Sequence, residues 1–211
     1  EKADYRDLFT TRRTFLTPLL GSLYRVPVAQ NGTPWQPYEF PPGDPRSGIQ
    51  AQASFVALHS HPGLSSPTLR GKALREVLLC APVPPPPGNV DFTVAQDTHN
   101  PNYKTMRERL TAHRTNPTCA GCHKLMDPAG LALENFDSDA GFRQRENGQL
   151  LDTSGELDGM RFSDAAGLGQ ALHDNPATSS CARPVCCTAC ATPTCRRSPT
   201  TSCCPAWAST W

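Results

Sequence analysis

The run Cys119-Ala120-Gly121-Cys122-His123 constrains this chain more than any other feature. Two thiols three positions apart, with an imidazole directly after the second, must be presented together at the wall of whatever they hold. A bare CxxC is ambiguous between zinc, a disulfide and a thiol redox pair. The adjacent histidine favours a fourth reading, c-type haem, in which both thiols form thioethers to the haem vinyl groups and the imidazole is the proximal iron ligand. The expected cofactor is therefore haem c, bound covalently by Cys119 and Cys122 and through iron by His123.

The surroundings suit a large apolar cofactor. Thr105-x-x-Glu108 reads as a capping box opening a helix from Lys104 to Arg114, with Met106, Leu110 and His113 on one face. Asn116-Pro117 ends that helix, and Leu125, Leu131, Leu133 and Phe136 follow the motif as apolar wall residues. Candidates for a sixth iron ligand are His59, His61, His99, His113, His173, Met106, Met126 and Met160. Met126 lies one turn after His123, so it is read as packing on the proximal side. His61, which precedes a helix, and Met160, in a loop well after the motif, are the two retained. Asp127-Pro128 is expected to shape a turn, with Glu134 and Asp137 capping or facing solvent. Arg70, Lys72 and Arg75 read as a solvated helix face, with contact to a haem propionate or an acidic partner as the other option, and Cys80 reads as a buried thiol.

With 22 prolines and 10 cysteines, the chain predicts few long elements and many loops. Its net charge of +1 points neither to nucleic acid nor to an acidic partner surface. There is no phosphate loop, no serine-histidine-acid arrangement, and no apolar run of the roughly 20 residues a membrane helix requires. A helix is expected from Tyr5 to about Val26, a proline-rich loop from Gly32 to Gly48, and a second helix from Ser66 or Thr68 to Cys80. Pro84 to Pro87 read as a polyproline spacer ended by Gly88, Gly148 to Gly159 as a turn-rich excursion, and Ser163 as the cap of a helix carrying Ala165, Leu168 and Leu172. The fold class expected is mainly α: a small helical cytochrome c-like haem module with long Pro-rich loops and a helical N-terminal segment.

From Cys181 to Trp211 the composition changes in kind, with seven cysteines and no Leu, Ile, Phe, Asp or Glu. One reading is a disulfide or metal knot, in which Cys187 and Cys190 join Cys119 and Cys122 as a four-cysteine zinc site. The other is a shifted reading frame, which the codon degeneracy of Ala182 to Cys186 permits.

Three stretches resemble the planctomycete-type cytochrome c proteins, large secreted bacterial proteins. They are Asp4 to Phe15, His61 to Lys72, and the haem motif followed by Met126-Asp127-Pro128 and Leu131 to Asp137. The resemblance implies residues 1–30 as the end of a preceding helical domain, 31–60 as a linker, 61–180 as the haem domain and 181–211 as a foreign or unstructured tail. It also implies an electron-transfer module in an exported multidomain protein, served by a redox partner protein or an adjoining domain. Covalent haem attachment occurs outside the bacterial cytoplasm, so a periplasmic or otherwise extracytoplasmic location is expected. The opening residues Glu1 to Asp4 do not read as a secretory signal, which leaves a processed or partial product or a cytosolic chain, and the haem motif favours the first. The rival functions are a haem enzyme with an open distal site and a structural zinc or disulfide module using Cys119 and Cys122.

If the tail is out of frame it packs against nothing, because it lacks the large aliphatic residues that contribute roughly 1.5 to 3 kcal/mol each on burial. Deleting the residues after Cys181 is then expected to leave haem loading and the visible spectrum unchanged and to reduce oxidative oligomers on non-reducing gels. Loss of folding on truncation, or destabilisation of the intact chain by chelators, would establish a real knot instead.

Overall fold

The computed structural model describes residues 4–29, 34–86 and 93–181. Pro87, Gly88 and the tail after Cys181, with its Cys187 and Cys190, lie outside the described residues.

The expected N-terminal helix is broken into three pieces: a 3-10 helix at Tyr5–Phe9, strand β1 at Arg13–Leu16 and helix α1 at Pro18–Tyr24. Pro18 explains the second break, between β1 and α1. A proline forces the preceding residue toward extended backbone, and Thr17 adopts it, its side chain accepting from the Leu20 N–H as the cap of α1. β1 pairs antiparallel with β2 at Gln36–Glu39, inside the stretch read as loop. Pro37 is tolerated there, opposite Phe15, because each strand of a two-stranded ribbon is an edge. A 3-10 turn at Ile49–Ala51 and α2 at Ala53–Leu58 follow.

Helix α3 spans Pro67–Ala73, capped by Ser66 with Pro67 in its first turn, and continues as a π-helical turn through Leu74–Leu78. After the short α4 at Thr93–Gln96 come α5 at Met106–His113 and α6 at Pro117–Leu131. The chain then forms two ribbons, β3 (Arg145–Glu146) with β4 (Gln149–Leu150) and β5 (Gly155–Leu157) with β6 (Met160–Phe162). Asn147-Gly148 and Asp158-Gly159 make their turns, with all four residues at positive φ as tight hairpin loops demand. α7 at Ala165–Asp174 is capped by Asp164, one residue later than expected, and buries Ala165, Leu168 and Leu172. Residues 176–181 add a last helical turn, ending where Cys181 forms a disulfide with Cys80. Cys80 is thus a cystine half, not the buried thiol its context suggested.

The mainly α expectation is therefore overturned. Among the described residues 45% are helical and 13% extended, in three two-stranded antiparallel sheets, which is a mixed α/β chain. The physical cause is local: two tight turns, at the two ends of the expected excursion, close ribbons that extend beyond it on either side, and Pro18 separates β1 from α1. One hydrophobic core joins Phe9, Leu16 and Tyr24 from the N-terminal segment, Phe40 and Val56 from the stretch read as linker, and Leu133, Phe136 and Leu168 from the C-terminal half.

α3 and α6 cross with their backbones in contact. A Cβ on Gly71 would overlap the carbonyl oxygen of Met126, and one on Gly130 would overlap that of Pro67. Behind the crossing, Arg70 is fully buried, correcting the expectation of a solvated face. Its Nη1 donates to the carbonyls of Leu133 and Phe136 at 2.8 Å each and to Glu134 Oε1 at 3.3 Å. Its Nη2 donates to the Asp137 carbonyl at 2.8 Å and to Ser60 Oγ at 2.9 Å. Glu134, expected at the surface, is buried and also accepts from Ser65 Oγ at 2.9 Å and Arg143 Nη2 at 3.0 Å. Burial pushes the Arg70 guanidinium down to about 10 and the Glu134 carboxyl up, while each partner holds the other charged.

Gly71→Ala or Gly130→Ala should force the helices apart and lower stability by about 1–3 kcal/mol, read from the urea midpoint. An exposed helical glycine changed to alanine gains roughly 1 kcal/mol, so the sign of the shift reports directly on the crossing.

Candidate functional site

Asn116 does more than end α5: its side chain accepts from the Thr118 N–H at 3.0 Å and, with Pro117 at the first position, it opens α6. The haem-type motif therefore sits in the first turns of a helix. Cys119, Cys122, His123 and Met126 fall at spacings of three, one and three on α6, which lines them along one stripe. Both cysteines are free and half-buried.

That stripe forms one wall of a cavity of about 300 Å³. α5 supplies Met106, Leu110 and His113, α3 supplies Thr68, Leu69 and Lys72, and the segment before α3 supplies His61 and Leu64. Val83, together with Pro84 and Pro86 of the expected polyproline spacer, closes another side. The volume lies at the lower end of the range for small-molecule and cofactor sites, and the walls are mostly apolar.

The capping box on α5 forms as the sequence predicts, with the Glu108 N–H donating to Thr105 Oγ1 and the Thr105 N–H to Glu108 Oε2 at 2.9 Å. A second anchor was not legible. Glu146 on β3 accepts from the Met106 N–H at 2.7 Å and from Arg109 Nη2 at 2.6 Å, which ties the ribbon to the α5 wall.

His123 Nδ1 lies 3.0 Å from both carboxylate oxygens of Asp127, one turn further along α6. Asp127 is fully buried, inside a helix and not in a turn as expected, and it also accepts from Thr68 Oγ1 on α3 at 2.9 Å. Arg114 Nε stands 4.0 Å from its Oδ2. With an acceptor at Nδ1, the neutral imidazole carries its proton there, and Nε2 is the nitrogen whose lone pair is available to a metal. The His113 ring packs edge-on against His123 with centroids 5.0 Å apart.

Of the two sixth-ligand candidates, His61 lines the cavity and Met160 does not; Met160 packs on β6 against the main core. His59 packs edge-on against Phe55, and burial pushes its imidazole down. His173 pairs with Asp7 and Asp174, and His99 with Thr98, so neither belongs to the site. Lys72 reaches the cavity beside Glu76, while Arg75 pairs with Asp158 at 2.8 Å. Asp137 caps its own loop, accepting from the N–H groups of Asp139 and Gly141. Among the described residues no group of three or more His, Cys, Asp or Glu side chains is arranged to hold a metal ion, and no helix is long and apolar enough to cross a membrane.

Residues 46–146 match the model of the family PSCyt3, described as a protein of unknown function (DUF1588). The match is to a single domain of a planctomycete-type cytochrome family, and it contains two of the three resembling stretches up to Asp137; Asp4 to Phe15 falls outside it. No curated protein and no solved structure matches the chain.

In the haem-free protein, nitrogen NMR of the neutral His123 ring should report the Nδ1-protonated tautomer. Asp127→Ala should shift the population toward the Nε2-protonated form that dominates in free histidine.

Proposed function

We propose that the chain binds haem c covalently through Cys119 and Cys122, with His123 as proximal iron ligand, and serves as a one-electron transfer module in an extracytoplasmic protein. The observation that carries this reading is the α6 stripe: two free thiols and an imidazole presented to one mostly apolar cavity, with the imidazole's Nδ1 already engaged by a buried carboxylate. The residues present fit the group. Leu64, Leu69, Val83, Met106 and Leu110 offer apolar walls to a macrocycle, and His61 lines the same cavity as the candidate sixth ligand. Bound there, haem c supplies an Fe(III)/Fe(II) couple whose potential the protein tunes through ligand, burial and hydrogen bonds.

The chain's own residues do the rest. α6 orients both thiols and the imidazole from one backbone segment, so attachment and ligation need no long-range rearrangement. Gly121 is exposed and the two cysteines only half-buried, which puts the attachment turn within reach of a redox partner or an adjoining domain. The Cys80–Cys181 disulfide supports an oxidising compartment.

Expression with an export signal and a cytochrome c maturation system is expected to give one haem adduct per chain on the peptide carrying Cys119 and Cys122, read by mass spectrometry. His123→Ala should abolish attachment or leave an abnormal spectrum. A peptide with no adduct of haem mass would end the reading, and an unaltered spectrum in the variant would assign the iron to another residue.

A further inference from the structure

We infer that Asp127 is a positioning residue that sets the haem potential low by drawing electron density into His123, an inference that rests on the proposed haem site. Three observations carry it. The carboxylate is fully buried, so its interactions are not diluted by water. Both of its oxygens lie 3.0 Å from His123 Nδ1, within range of a charge-assisted hydrogen bond. Thr68 Oγ1, from the crossing helix, donates to Oδ1 at 2.9 Å and holds the carboxylate in that orientation.

The chemistry follows from the direction of the bond. A carboxylate accepting the Nδ1 proton makes the imidazole a more basic ligand at Nε2 than a backbone carbonyl in the same place would. A more basic ligand favours Fe(III) over Fe(II), which lowers the reduction potential. The neutral Thr68 hydroxyl offsets this only in part, and the Arg114 guanidinium, at 4.0 Å, lies beyond hydrogen-bond distance. The module therefore suits the donor side of an electron transfer, passing an electron to an acceptor of higher potential. A helix staple through Thr68 alone would stabilise the α3–α6 crossing and leave the potential unchanged, so the two roles separate by measurement.

The test is the midpoint potential of the full chain carrying covalent haem, compared with Asp127→Asn. An outer-shell change of this kind shifts metal affinity by roughly tenfold or more. A tenfold loss of the ferric preference reads as an upward shift of about 59 mV for a one-electron couple. A loaded variant whose potential matches that of the parent overturns this inference alone. Absence of haem from the parent overturns it together with the proposed function. Should the asparagine variant fail to load, Asp127→Ser, whose smaller side chain leaves room for a water to accept from Nδ1, carries the same measurement. Failure of both variants to hold haem marks Asp127 as a structural staple and also overturns the inference.

Discussion

The architecture depends on the buried Arg70 side chain. α6 ends at Leu131, and the chain beyond it turns sharply, with the Leu133 and Asp137 carbonyls accepting from the turn N–H groups of Phe136 and Ala140 and keeping a second lone pair for another donor. Arg70 reaches across from α3 and donates to three carbonyls there, at Leu133, Phe136 and Asp137. Glu134 balances the charge, and Arg143 and Ser65 complete the shell around its carboxylate. A buried ion pair of this kind adds little net stability over an apolar substitute, because desolvation offsets the attraction, yet losing one partner costs about 3–5 kcal/mol. The Arg70 bonds tie α3 to the segment that follows α6 in a single geometry, the one in which the guanidinium meets those carbonyls.

That register has a chemical consequence at the other end of the same contact. Gly71 and Gly130 let the two backbones touch, and the close approach brings Thr68 on α3 to Asp127 on α6. Asp127 in turn holds His123. The helix crossing and the state of the candidate metal ligand are thus one connected structure, running from Arg70 through the glycine contacts to the imidazole.

What the sequence revealed, and what it hid, divides along physical lines. Features encoded within a few residues were legible: the haem-type pentapeptide, the Thr105/Glu108 capping box, the Ser66-Pro67 start of α3 and the apolar face of α7. Charged residues whose partners are distant in sequence were misread, because Arg70 lies more than sixty positions from Glu134 and nothing local marks either as buried. Asp127 is a different case: its spacing of four from His123 is a helical signal, hidden only by reading Asp127-Pro128 as a turn when Pro128 stands inside α6. Asn147-Gly148 and Asp158-Gly159 were equally readable, since Asn-Gly and Asp-Gly pairs are strong hairpin signals. Their ribbons are only two or three residues long per strand, too short for an alternating pattern to stand out.

The ribbons matter because two helices that face α6 across the cavity are short. α5 has eight residues and α3 seven, lengths at which an isolated helix is marginal in water. α5 buries only Met106, Arg109 and Leu110, so its packing is thin. Its place is secured instead at its first turn, where Glu146 on β3 accepts from the Met106 N–H and pairs with Arg109. The β5–β6 turn does a similar service for the π-helical extension of α3, through Asp158 and Arg75. Arg75 also donates to the Leu125 carbonyl on α6 at 2.9 Å, so one side chain links ribbon, α3 and α6. Hairpins closed by two-residue turns brace these short helices, and the mixed α/β character is the means by which the thiol-imidazole stripe keeps its opposing walls.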